Sequence, residues 1–225
     1  MCFSAEASFT ASVILSAVGV ASTREVSKPK QRLFAAIPLL FGLQQFAEGV
    51  VWVTLRSGGY DRFQNVATYI FLVAALVIWP VIVPLSMWLM EDVKKRKKIL
   101  AWLTVAGGVL SVYYVYCLIY FNVTPRINGF HIQYLDAFPR RLVDIAWLLY
   151  IASTVAPLFV SSVRRMWVFG VLISISCLVT IIFFSHYLTS VWCFFAALIS
   201  ATIFWILSES RRRADELAPE YLYKD

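Results

Sequence analysis

Seven apolar runs alternate with short polar segments along the chain. They are Phe9 to Ala21, Leu33 to Leu55, Ala67 to Met90, Ile99 to Phe121, Leu142 to Val160, Met166 to Ser185 and Val191 to Leu207. Most approach the roughly 20 residues a helix needs to cross a hydrocarbon layer. The apolar residues are gathered into continuous blocks and are not spaced as the one-sided stripe of a soluble helix. In hydrocarbon each backbone amide must be satisfied within its own segment, so such blocks fold as helices. The pattern predicts an all-α polytopic membrane protein, a seven-helix bundle. Residues 1–207 form the transmembrane domain and residues 208–225 a charged cytoplasmic tail.

The first run is the shortest, and without it six spans would remain. It is not read as a signal peptide, whose positive charges precede the apolar stretch. Here Arg24, Lys28, Lys30 and Arg32 follow it, which predicts a retained helix with its N-terminus outside. Trp79-Pro80, Pro84 and Pro157 are expected kink points. The stretch Asn122 to Arg140 is expected as the longest loop. The pairs Gly42…Gly49 and Gly107-Gly108 offer close helix contacts.

Composition agrees with a membrane chain. Of 225 residues, 60% are hydrophobic and 15% charged, against roughly a quarter charged in soluble domains. The net charge of +7 does not point to nucleic acid, because the basic residues sit in short loops between apolar runs. Fifteen of the 20 lysines and arginines fall in segments 22–32, 91–98, 161–165 and the tail. The other five, Arg56, Arg62, Arg126, Arg140 and Arg141, occupy the alternate loops. The bias orients the bundle with its C-terminus in the cytoplasm, in a cell membrane expected to be a bacterial inner membrane. Cys2, Cys117, Cys177 and Cys193 have no CxxC spacing, so neither a zinc ribbon nor a disulfide framework is indicated.

With that orientation the unusual polar residues gather towards the outer face. Glu48 lies about 10 Å below the outer end of the second helix. Gln44, Gln45, Glu48 and Trp52 share one helical face, which should look into the bundle. A carboxylate within a span is costly unless paired, protonated or hydrated, and such residues often mark function. The structural alternative is a protonated Glu48 bonded to Gln44 or to a serine of another helix. Cys2 and His131 lie outside, Asp144 starts the fifth helix, and His186 caps the sixth.

Cys2, Glu48, His131 and His186 form a thiolate, carboxylate and imidazole set suited to Zn²⁺. The first functional expectation is therefore an intramembrane metal-dependent hydrolase or lyase acting on a small molecule or lipid. Glu48 would be ligand or base, with Asp144 orienting a ligand. The second is a small proton-coupled transporter with Glu48 titrating. The third is a membrane sensor or accessory subunit, whose outer cluster binds a ligand and whose basic face meets a partner.

The opening Met1-Cys2-Phe3-Ser4-Ala5 with Ala7-Ser8-Phe9 resembles a family of small bacterial membrane proteins with no established activity. The stretches Pro38 to Trp52 and Ser190 to Ala197 resemble it too. The resemblance implies a multi-span protein and places Cys2, Glu48 and Cys193 within its motifs. Two better-known seven-helix classes fit less well. Retinal proteins need a lysine in the last helix, and Val191 to Leu207 has none. Zinc hydrolases of the alkaline ceramidase and adiponectin-receptor type use three histidines, and this chain has two.

Overall fold

The computed structural model describes residues 4–58, 60–139 and 142–222. Seven helices are long and apolar enough to cross a membrane: α1 Ala5–Arg24, α2 Pro29–Ser57, α3 Asp61–Met90, α4 Lys94–Tyr120, α5 Val143–Val160, α6 Met166–Phe184 and α7 Leu188–Arg213. The first is 20 residues long and apolar enough to cross a membrane. Its start is fixed by Ser4, whose hydroxyl accepts the Ala7 N–H at 3.2 Å, the usual way to satisfy an orphan amide at a helix N-terminus. The helix continues past the apolar part of α7, with Thr202–Leu222 helical.

The expected loop Asn122 to Arg140 is corrected by the structure. Val123–Asn128 (β1) and His131–Asp136 (β2) pair antiparallel, with Asn128 opposite His131. Gly129 has φ +61°, and a two-residue hairpin turn favours such a conformation at its first central position. The alternation of the strands puts Ile132 and Val123 inward. Ile132 joins Val51, Trp52 and Ala67 in one apolar cluster, so the hairpin closes over the ends of α2 and α3.

Helix α3 contains the main irregularity. Over Val73–Ile78 the helix widens, and the Trp79 N–H reaches the Ala74 carbonyl, five residues back. In that pattern Pro80, which has no N–H, leaves the Ala75 carbonyl open. Tyr150 of α5 fills the gap, its hydroxyl donating to Ala75 at 2.6 Å. Ser111 of α4 donates likewise to Val77 at 2.6 Å. One turn on, Pro84 frees the Pro80 carbonyl. Gly107 of α4 packs there so closely that an added Cβ would lie 1.8 Å from that oxygen. Gly42 similarly lets α1 and α2 meet, with Ser12 donating to its carbonyl at 2.8 Å. Gly108, the other half of the expected pair, faces open space. Helix α5 breaks at Val155, ahead of Pro157.

At the end bearing the basic segments, polar contacts tie the connections together. Glu91 is fully buried between α3 and α4. It accepts from the Ser162 N–H at 2.6 Å, the Ser162 hydroxyl at 2.7 Å and the Val93 N–H at 2.9 Å. Burial alone would push this carboxyl up, yet the donors outweigh it and hold Glu91 below the usual carboxylate range, as donors to the charged form do. Lys30 pairs with Asp92 at 2.6 Å. Arg165 stacks over Trp205, 4.2 Å from its ring.

Candidate site at the end of the bundle covered by the hairpin

The shared face of α2 is buried as its spacing predicts: Gln44, Gln45, Glu48 and Trp52 are all 0% exposed. Gln44 is held in place by Trp79, whose indole N–H donates to Oε1 at 2.8 Å. Phe41, one turn back, stacks on the same indole with centroids 4.0 Å apart. Glu48 Oε1 accepts from the Ser190 hydroxyl of α7 at 2.5 Å. A serine of another helix thus meets Glu48, the structural alternative raised above. Cys193, one turn along α7 from Ser190, is buried as well. The side-chain amide of Gln45 and the indole N–H of Trp52 have no partner among the described residues. Interiors leave few such groups, and they mark where a water or a ligand atom can be received.

Beside this polar seam lies a cavity of about 360 Å³, bounded by α3, α4, α5, α7 and the hairpin. Trp192 and Cys193 line it, and both also line a smaller apolar void of about 50 Å³ deeper in the bundle. Seven of the lining residues are aromatic. Trp147, Tyr150 and Trp192 form a connected group, with centroid distances of 5.6 to 6.1 Å. The bond from Tyr150 to Ala75 fixes one of these rings, so the kink in α3 also shapes the cavity.

The residues expected to hold zinc are dispersed in part. Cys2 lies outside the described residues. His131 is half buried against Tyr187 and Phe184, with centroids 4.6 and 5.2 Å apart. Burial holds its imidazole below the ordinary value. His186, its ring 6.5 Å from that of Tyr187, is exposed, as is Asp144 at the start of α5. Asp144 and Asp136 border a surface groove at the cavity mouth. Among the described residues no group of three His, Cys, Asp or Glu side chains is placed to hold a metal ion. Cys117, Cys177 and Cys193 are free thiols.

Ser190 and the aromatic group were not singled out from the sequence. The signal for Ser190 was present, since Ser190 and Cys193 are three apart and share a helical face. The aromatics read as ordinary interfacial and packing residues. Only the fold shows that they surround a space.

A family model described as a family of unknown function (DUF6629) matches residues 1–219. The chain belongs to this family. No curated protein matches it, and no solved structure does.

Proposed function

We propose that this protein is a membrane receptor that binds a small amphipathic molecule in the cavity beneath the hairpin. The cavity itself carries the reading. Protein interiors pack at crystal-like density, and ligand sites are concave, mostly apolar and of about 300–1,000 Å³. A space of about 360 Å³ with an aromatic wall and a polar edge fits that class. Cys193 lines the cavity one turn from Ser190, the partner of Glu48; that contact would sense the bound molecule, and kinked α3 would carry the change to the basic end. The lysine and arginine bias supports a cytoplasmic placement of that end, where a partner protein would read it.

The test is a small-molecule screen by thermal shift on the protein in nanodiscs, repeated with Thr189→Trp. Thr189 lines the cavity, and an indole there fills it. Compounds that stabilise the parent protein and lose their effect in the variant support the receptor. A screen in which no compound depends on residue 189 overturns it.

The metal-dependent hydrolase is a second reading, favoured by one observation. Glu48 is buried with a hydroxyl partner, and His131 is half buried in the hairpin that covers the same end of the bundle. Cys2 and His186 would have to complete the set.

A further inference from the structure

We infer that the molecule held in the cavity is an organic ammonium ion, an inference that rests on the receptor reading above. Three features of the lining favour a cation over a neutral or anionic ligand. The first is the density of rings. Trp147 stands edge-on to Trp192 at 5.8 Å and stacked with Tyr150 at 6.1 Å. Tyr114 and Phe138 add a second group, 6.3 Å apart. Ring faces carry partial negative charge and attract a cation within about 6 Å, more strongly where water is excluded.

The second feature is charge. Asp136 lines the cavity and, with Asp144, the groove at its mouth, while no lysine, arginine or histidine is among the described lining residues. One oxygen of Asp136 accepts the backbone N–H of Phe138, a residue of the second group, at 3.2 Å. An anion entering here would meet two carboxylates. A cation would be drawn in by them and then passed to the rings.

The third feature is a donor within the wall. Trp192 is buried, and its indole N–H has no partner among the described residues. A ligand that carries an oxygen near its ammonium group would satisfy it. A quaternary or tertiary amine bearing a hydroxyl or ester oxygen meets all three features.

The experiment compares choline with 3,3-dimethylbutanol, which has the same shape with carbon in place of charged nitrogen. Binding of each to the full-length protein in nanodiscs is measured by titration calorimetry and thermal shift. Choline is expected to bind roughly tenfold more tightly than the alcohol or better. That preference should fall in Asp136→Asn and in Trp147→Leu, two variants that act at different places. Asp136 is exposed, so its variant should fold normally. Equal binding of the two probes overturns the cation and leaves the receptor standing. So does binding of neither, if other compounds still respond to Thr189→Trp. If no compound responds, both readings fall together.

Discussion

Ser190 on α7 donates to the carboxyl of Glu48 on α2 at 2.5 Å, with both residues wholly removed from the surface. The bond joins two helices separated by most of the chain, and it ends a seam of buried polar side chains. Removing the hydroxyl takes a donor from a buried acid, which costs about 1–3 kcal/mol. Ser190→Ala should therefore lower the unfolding temperature in detergent. Ser174→Ala, which loses a bond to its own helix at Gly170, should change it little. Equal losses would show that the Glu48 contact is energetically ordinary.

Gly107 and Gly108 form a matched pair. A methyl group at 107 would collide with the Pro80 carbonyl, while one at 108 meets nothing within 4 Å. Gly107→Ala should force α3 and α4 apart and cost about 1–3 kcal/mol or more. Gly108→Ala should be neutral or slightly stabilising, since alanine is the better helix former. Denaturation in mixed micelles distinguishes the two.

Tyr150→Phe removes the donor to the Ala75 carbonyl at the π-turn of α3. The expected loss is about 1 kcal/mol. Any compound that binds the cavity should also bind more weakly, because the ring is no longer tethered. Unchanged ligand affinity in this variant would separate the kink in α3 from the site.

The Glu91 clasp should make stability depend on pH. Its folded carboxyl is held below the usual range by Ser162 and Val93, so its contribution is complete above the unfolded value. It is lost as pH falls through the lower, folded value. The parent protein should lose stability on acidification below about pH 4.3, the ordinary glutamate value, and Glu91→Gln should flatten that limb while being less stable at pH 7. An acid limb unchanged in the variant would assign it to other carboxyls.

Metal content decides between the two functional readings. Protein purified in chelator-free detergent should carry well under one equivalent of zinc by elemental analysis if it is a receptor. One equivalent that is lost in both Glu48→Gln and His131→Ala would favour the hydrolase.

The bundle could be read from the order of residues because hydrocarbon leaves the backbone almost no other choice. Seven apolar blocks dictate seven helices, and the spacing of Gln44, Gln45, Glu48 and Trp52 dictates one inward face. The hairpin was less legible. Asn128-Gly129 is a turn signal flanked by alternating apolar and polar residues, but Pro125 and the shortness of both arms leave such a hairpin marginal by itself until Ile132 packs on Val51, Trp52 and Ala67.

What the amino-acid order determined alone was what must leave water and which faces must leave lipid. It could not say which serine would reach Glu48, that Tyr150 would mend the gap left by Pro80, or that the rings of α4, α5 and α7 would stand around a space. Each of these depends on helices far apart in the chain meeting at a particular rotation and height. Burial of apolar surface is non-directional and fixes neither; close packing and the pairing of each buried polar group do.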